Sequence, residues 1–295
     1  MPALRDLLWG VLYPALAAGC IWAFLGRAWF RKDARFVTSL AVAAAFCIGY
    51  AGLLQGAPLE PTGAREWLFW LAAGGALIAP LERLTRRDPF FVRALFVGVL
   101  LKFVLERQYV NHWQGANDSG HFPGLALAVA IGISGWYAVE RVARKSPGVG
   151  APLTLWCLAT GLALCSLWSS SGLYAQLAGT IAAAMGAACV LAWLRPGTWF
   201  AGGGAGLAWA LLFGIGLAAH YYSQLSAADA LLLAAAPFAG LLADLPGLRQ
   251  QRPQRHVLLR TVLVLIPIAI ACARTHAVYA ELGAEDGGSP ESYGY

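Results

Sequence analysis

Residues 173–194 read LYAQLAGTIAAAMGAACVLAWL, a run of twenty-two residues that contains no charged side chain. A helix of about 20 apolar residues is long enough to cross the hydrocarbon core of a bilayer. The run lacks the period-two alternation of polar and apolar residues that is typical of transmembrane strands. Because lipid offers no partner for backbone polar groups, the run predicts a membrane-spanning helix.

Runs of the same kind recur along the chain, which has 295 residues, of which 59% are hydrophobic and 12% are charged. Soluble domains carry about twice that share of charged residues. We therefore predict an all-α integral membrane protein, with a single transmembrane helical domain over residues 1–275 and a short polar, acidic tail over 276–295. The bundle is predicted to have about ten transmembrane helices, over 7–26, 36–54, 66–82, 90–106, 124–140, 151–169, 173–194, 199–219, 228–245 and 256–274.

The first run has the length of either a cleaved signal peptide or a retained span. Arg5 is followed at once by Asp6, and the stronger basic cluster, residues 27–35, comes after the run. A signal peptide carries its positive charge before the apolar run. We therefore interpret residues 7–26 as a retained first span.

The basic residues fall largely on one side when the loops are assigned alternately to the two sides of the membrane. One side receives fourteen of the 21 Lys and Arg residues and the other receives four. Because basic loops face the cytoplasm, the N-terminus and the C-terminus are both predicted to be non-cytoplasmic, in a bacterial-type inner (plasma) membrane. The fourteen are Arg27, Arg31, Lys32, Arg35, Arg83, Arg86, Arg87, Arg141, Arg144, Lys145, Arg195, Arg249, Arg252 and Arg255.

The net charge of +6 is therefore mainly a topology signal, and no nucleic-acid partner is predicted from it. The six cysteines all fall inside apolar runs and show no CxxC spacing. They are predicted to be packing residues, with no disulfide framework and no zinc knuckle. They are Cys20, Cys47, Cys157, Cys165, Cys189 and Cys272.

Charged residues are absent from the predicted centres of the spans, where proton and ion relays usually need them. This argues against ion-coupled transport. Arg93 and Lys102 lie near the ends of the fourth span, where long side chains can reach the headgroups. Glu82, Glu140 and Asp244 lie at cytoplasmic ends of spans, and we predict that they pair at the surface with the basic loops.

Small residues predict where helices approach closely, because helix association in lipid relies on van der Waals packing. Gly202 and Gly206 form a GxxxG pair, and the seventh span is almost free of bulky side chains. We expect the seventh and eighth helices to lie in the interior of the bundle. Trp22, Trp136 and Trp209 lie deep in their spans and are predicted to pack rather than to stack on a ligand.

The densest polar cluster outside the basic loops is the predicted outer loop 107–121. It contains His112, Asp118 and His121, and His220 lies at the outer end of the eighth span. All four are candidate catalytic residues, and His112, His121 and His220 are candidate ligands of a divalent metal. Their spacing matches no strong metal motif, so the alternative is that they are ordinary polar residues at an interface. No other cofactor is predicted.

Two short segments are similar to motifs of membrane enzymes. Gly132-Ile133-Ser134-Gly135 resembles the GxSG nucleophile motif of rhomboid intramembrane proteases, which implies Ser134 as nucleophile and His220 as base. The second histidine motif of that family is missing. Ser119-Gly120-His121 resembles the centre of the PSGH motif of membrane phosphatidic-acid phosphatases, which implies phosphate binding, but Asp118 replaces the proline and the other motifs of that family are absent.

The sequence favours a transporter-like, non-enzymatic bundle for a small neutral or amphipathic solute or lipid. One alternative is a membrane-embedded enzyme of the outer face, such as a metal-dependent hydrolase, built on the candidate histidines. The other is a scaffold subunit of a membrane complex. The expected partners are accordingly the lipid bilayer, a small-molecule or lipid ligand, and another membrane protein.

Overall fold

The computed structural model of the chain describes residues 2–29, 34–84, 89–108, 121–146, 148–194, 203–245 and 253–285. All regular elements within these residues are helical, and they contain no strand. Helix α1 (Pro2–Leu7) continues through a π-helical turn (Leu8–Leu12) into α2 (Tyr13–Trp29). The helices that follow are α3 (Ala34–Leu53), α4 (Ala64–Gly75), α5 (Ile78–Leu84), α6 (Phe90–Gln108), α7 (His121–Lys145), α8 (Gly150–Trp168), α9 (Gly172–Leu194), α10 (Gly204–Tyr222), α11 (Ala227–Leu241) with a 3-10 turn (Leu242–Asp244), and α12 (Pro253–Glu285).

The outer surface of the bundle is strongly apolar. Phe24, Phe91 and Trp193 are 75%, 78% and 77% exposed, and large apolar patches of this kind are rare on soluble monomers. Eight helical stretches within the described part of the chain are long and apolar enough to cross a membrane. The chain is therefore an all-helical bundle of the integral-membrane type.

Two of the ten predicted spans are not among these eight stretches. The predicted third span is divided between α4 and α5, and each piece is shorter than a bilayer-crossing helix. The predicted fourth span corresponds to α6, whose apolar run is interrupted by Arg93 and Lys102. The remaining predicted spans coincide with long helices.

Helix α10 forms the centre of the bundle and contacts α3, α4, α6, α7, α8, α9 and α11. Within it, 72% of the residues in its apolar stretch are buried, compared with 44% for α9. An interior position is thus confirmed for α10, whereas α9, packed against α8, α2 and α3, leaves more than half of its residues incompletely buried. Helix α9 also contacts α10, and its exposed residues lie only near its two ends, so its predicted interior position is confirmed in part.

Glycines at the start of α10 allow this close packing. Gly203, which precedes the helix, has a φ of 51°, a conformation that favours glycine. Gly204 lies against the backbone of Thr38 in α3, and Gly206 lies against the indole of Trp136 in α7, so that a Cβ at either glycine would overlap its neighbour. Gly202, the other member of the predicted GxxxG pair, lies outside the described residues.

The break between α4 and α5 has a local cause. Pro80 has no N–H, so the carbonyl of Ala76 cannot receive the hydrogen bond that residue 80 would donate in a regular helix. The hydroxyl of Ser39 in α3 shares its one proton between this carbonyl, at 3.3 Å, and the carbonyl of Phe36 in its own helix, at 3.0 Å. A side chain of a neighbouring helix thus satisfies a backbone group that lipid could not satisfy.

The two ends of the bundle carry different polar residues, from which we name them the basic end and the histidine end. The basic end carries Glu82 of α5, Arg93 of α6, Glu140 of α7 and Arg260 of α12. The histidine end, opposite to it, carries His220 at the end of α10 and Asp229 at the start of α11.

Candidate functional site

An apolar cavity of about 200 Å³ lies in the half of the bundle nearest the histidine end. Its walls come from the first turns of α7, the middle of α8, the second half of α10 and the first half of α11. An apolar cavity of about 150 Å³ in a protein core is large enough to bind benzene. The cavity can therefore hold a ring of that size or a segment of an aliphatic chain.

The cavity opens between α7 and α11. Leu127 on α7 is 53% exposed and Leu231 on α11 is 49% exposed, and both line the cavity. Each residue lies within the apolar stretch of its helix that is long enough to cross a membrane. The cavity thus reaches the apolar surface of the bundle between two helices that are long enough to cross a membrane, and we call the line between Leu127 and Leu231 the α7–α11 seam.

The polar side chains that line the cavity are concentrated at the C-terminal end of α10. His220 and Tyr221 line it there, and their rings contact each other edge to face, with centroids 4.7 Å apart. Trp209 also lines the cavity, but its indole N–H donates to the carbonyl of Gly132 at 2.9 Å. Trp209 therefore presents an apolar ring to a ligand, and His220 and Tyr221 supply the polarity.

The hydrogen bond of His220 determines which ring nitrogen carries the proton. Nδ1 of His220 lies 2.8 Å from the carbonyl oxygen of Leu225, in the connection between α10 and α11. A carbonyl can only accept a hydrogen bond, so Nδ1 is the donor. In the neutral imidazole, Nε2 then carries a lone pair and accepts hydrogen bonds.

A buried ion network joins three helices at the basic end. Nε of Arg93 lies 2.7 Å from Oε1 of Glu82, and its Nη2 lies 2.6 Å from Oε2 of Glu140. The side chains of all three residues are at most 4% exposed. Tyr137 covers the guanidinium at 4.6 Å, and the exposed Arg144 reaches Glu140 from one turn further along α7.

A second network lies beside the first, at the end of α7 and the start of α12. Arg260 donates from Nη2 to Oδ1 of Asp244 at 2.6 Å and from Nε to the carbonyl of Gly240 at 3.2 Å. It also donates to the hydroxyl of Ser146. Lys145 lies 3.4 Å from the other carboxylate oxygen of Asp244. Arg260 therefore caps the carboxyl end of α11 and ties it to α7 and α12.

A third polar contact joins α11 to α12 at the histidine end. The carboxylate of Asp229, which is 4% exposed, accepts from Nε of Arg274 at 2.9 Å. Its backbone N–H donates to the hydroxyl of Ser226, the N-cap of α11. Nearby, Sγ of Cys165 in α8 lies 3.6 Å from Sγ of Cys272 in α12, both as free thiols.

The candidate residues of the outer loop are only partly described. His112 and Asp118 lie outside the described residues, as do Ser119 and Gly120 of the phosphatase-like segment. His121 begins α7, but its side chain is not among those described. His220 is the one candidate whose contacts are described, and the described residues contain no group of three or more His, Cys, Asp or Glu that could hold a metal.

The protease-like segment does not form a serine–histidine pair in the structure. Ser134 is exposed, and its hydroxyl donates to the carbonyl of Ala130 in its own helix. Nδ1 of His220 is bonded to Leu225. Gly132 and Gly135, which gave the segment its resemblance, pack against Phe213 and Trp209 of α10, so both glycines serve helix packing.

The predicted surface pairing of Glu82, Glu140 and Asp244 is wrong, because these carboxylates are buried in ion networks between helices. Arg93 likewise does not extend to the headgroups, since its side chain is 1% exposed. Opposite charges in apolar helices can form buried ion pairs when they lie at the same end of the bundle. The sequence feature that could have predicted this network is the presence of one arginine, Arg93, and two glutamates at helix ends on the same side. The deep positions of Trp22, Trp136 and Trp209 are confirmed, each being at most 7% exposed.

The chain was compared with protein families, curated proteins and solved structures. No family model, no curated protein and no solved structure matches it. The class that the fold defines, an all-helical integral-membrane bundle, therefore rests on the sequence and the geometry themselves.

Proposed function

We propose that the protein is a ten-span transporter-like bundle that binds a small neutral or amphipathic solute or lipid in the cavity beside α10. It lies in a bacterial-type inner membrane, with the basic end cytoplasmic and both termini outside. The observation that carries the proposal is the apolar cavity, which opens towards the bilayer at the α7–α11 seam. Because its walls are apolar and its polar groups lie at one end, it suits an amphipathic molecule.

The ion pairs at the basic end support a route by which the ligand reaches the cavity from the side away from that end. Arg93 and Arg260 hold α5, α6, α7, α11 and α12 together there through buried ion pairs. Breaking such a pair leaves an uncompensated charge in a low-dielectric environment. These ion pairs join five helices at the basic end, while the cavity lies nearer the histidine end, and this supports a route that avoids the basic end.

The enzyme alternative has less support. His220 lines the cavity, but Ser134 points to a different surface of α7 and is not part of the lining. No cluster of metal-ligating side chains is present among the described residues. The other candidates of that alternative, His112, Asp118 and His121, lie outside the described residues or side chains, so the alternative stays a prediction.

The test uses proteoliposomes that contain a fluorescent, NBD-labelled neutral glycolipid, with dithionite added outside to quench the accessible leaflet. Transport between leaflets would let dithionite quench more than the outer half of the label. Gly216→Phe should slow this step, because Gly216 lines the cavity and a benzyl group there would fill it. Gly98→Phe is the matched control, since Gly98 is exposed on α6 and a Cβ there meets nothing within 4 Å.

Wild-type vesicles that quench no faster than protein-free vesicles would contradict transport of this lipid class. Equal rates for wild-type protein and Gly216→Phe would show that the cavity is not the route.

A further inference from the structure

We propose that the ligand of the cavity is a neutral lipid whose headgroup carries a hydroxyl group, and that this hydroxyl donates a hydrogen bond to Nε2 of His220. The inference rests on the proposed function, because it uses the same cavity. It goes further by naming the chemistry of the ligand and the residue that selects it.

The aliphatic part of the ligand follows from the walls of the cavity. Leu158 and Leu162 of α8, Phe213 of α10 and Leu233 of α11 line it with hydrocarbon. The α7–α11 seam connects this space with the bilayer through the exposed side chains of Leu127 and Leu231. An aliphatic chain can enter there without leaving an apolar environment, so a lipid fits this site better than a water-soluble molecule.

The headgroup chemistry follows from His220. Nδ1 donates to the carbonyl of Leu225 in a part-buried hydrogen bond, and this bond fixes the tautomer of the neutral ring. His220 lines the cavity, and the remaining acceptor of its neutral ring is the lone pair of Nε2, which a donor on the ligand would satisfy. A hydroxyl group supplies such a donor, whereas an ester or an ether does not.

An anionic headgroup fits the site poorly. No Lys or Arg is among the described residues that line the cavity. Among the described lining residues no Lys or Arg would compensate a carboxylate or phosphate, and burying an unpaired charge is strongly unfavourable. The neutral, donor-bearing headgroup is therefore the complementary one.

The test compares three probes with the same chain: 1-hexadecanol, its methyl ether and hexadecanoate. Equilibrium binding of each radiolabelled probe is measured on the full chain in detergent micelles, at a pH at which histidine is neutral. The alcohol should bind about threefold to tenfold more tightly than the ether, since one neutral hydrogen bond contributes that much on balance. Hexadecanoate should bind less tightly than the alcohol.

His220→Asn isolates the accepting nitrogen. The amide N–H of asparagine can take the place of Nδ1 and keep the hydrogen bond to Leu225, but nothing replaces Nε2. The variant should therefore bind alcohol and ether equally, with the affinity for the ether unchanged. His220→Phe, which removes both nitrogens, should also bind the two probes equally.

The outcomes separate the two proposals. If the wild-type protein binds none of the probes, or if Gly216→Phe binds them as well as the wild type does, cavity binding itself is wrong. If the probes bind and Gly216→Phe excludes them, but the alcohol and the ether bind equally, only the role of His220 is wrong. Tighter binding of hexadecanoate, or a preference for the alcohol that survives in His220→Asn, would also overturn this inference.

Discussion

The guanidinium of Arg93 lies between the carboxylates of Glu82 and Glu140, at 2.7 and 2.6 Å. These three side chains belong to three different helices, so the network fixes the relative positions of α5, α6 and α7. Its net charge of −1 is balanced by Arg144, whose side chain is 60% exposed. The same carboxylate of Glu140 thus has one buried and one exposed partner, which permits a matched comparison.

Arg93→Met should destabilise the bundle strongly, because it leaves two buried carboxylates without their cation. Removing one partner of a buried ion pair costs about 3–5 kcal/mol, which corresponds to a fall in Tm of about 5–15 °C. The measurement is thermal unfolding of the purified protein in detergent. Arg144→Met is the control and should change Tm little, since exposed pairs contribute about 0–1 kcal/mol; equal shifts for the two variants would contradict the burial of the network.

At the scale of elements, the α4–α5 break depends on one hydrogen bond from another helix. Ser39→Ala should destabilise the protein by about 1–3 kcal/mol, because it leaves the carbonyl of Ala76 without the donor that replaces the N–H missing at Pro80. Pro80→Ala restores that N–H. The double variant should therefore lose much less stability than Ser39→Ala alone. The measurement is the same thermal unfolding. If the losses of stability caused by the two substitutions simply add, the hydrogen bond from Ser39 does not replace the N–H missing at Pro80.

The contact of α8 with α12 can be tested through two thiols. Mild oxidation should join Cys165 to Cys272, because their sulfur atoms lie 3.6 Å apart and a small shift brings them within bonding distance. The protein should then lose two of its six alkylatable thiols under denaturing conditions, as counted by mass spectrometry, and recover them on reduction. Cys165→Ser should keep all five of its thiols alkylatable; six alkylatable thiols in the oxidised wild type would exclude this packing.

The positions of most helices could be predicted from the sequence, because the apolar runs end at polar or basic residues. The predicted spans 151–169 and 173–194 differ by one residue at each end or less from α8 (Gly150–Trp168) and α9 (Gly172–Leu194). The α4–α5 break was missed, although Gly74, Gly75 and Pro80 lie within the predicted span. Hydropathy averages over such a break, since the residues around it remain apolar.

The sites were less predictable than the helices. The Arg93 network needs the relative rotation of three helices, which no single apolar run contains. The cavity needs four helices, α7, α8, α10 and α11, that are not all adjacent in sequence. His220 was recognised as a candidate because it is a histidine at the outer end of the predicted eighth span, but its hydrogen bond to Leu225 depends on the path of the α10–α11 connection.

At the scale of the whole molecule, the ten-span topology differs from an eight-span topology at one point of the chain. If α4–α5 and α6 cross the membrane, Phe90 lies on the cytoplasmic side, as the contact of Arg93 with Glu140 at the basic end requires. If neither crosses, Phe90 lies outside and that contact cannot form, while the sidedness of all later helices is the same. Single cysteines at Gln55, Phe90 and Gln224, all of which are exposed, can be placed in a variant without native cysteines.

We expect an impermeant maleimide, added to intact cells, to label Gln55→Cys and Gln224→Cys but not Phe90→Cys, which should react after the membrane is permeabilised. Arg255→Cys, exposed at the start of α12, is the cytoplasmic control. Labelling of Phe90→Cys in intact cells would support eight spans and would contradict the contact of Arg93 with Glu140. Labelling of Arg255→Cys but not Gln224→Cys would reverse the proposed orientation.

The C-terminal part of α7 takes part in both ion networks of the basic end, through Glu140 in one and through Lys145, with Ser146 directly after the helix, in the other. Tilting of α7 is therefore restrained at that end and freer at the other, where its side of the seam faces lipid. The width of the seam then depends on how tightly the surrounding acyl chains press against α7 and α11. Lateral pressure in a single leaflet, set by lipid composition and curvature, would in this way regulate access to the cavity without any soluble effector.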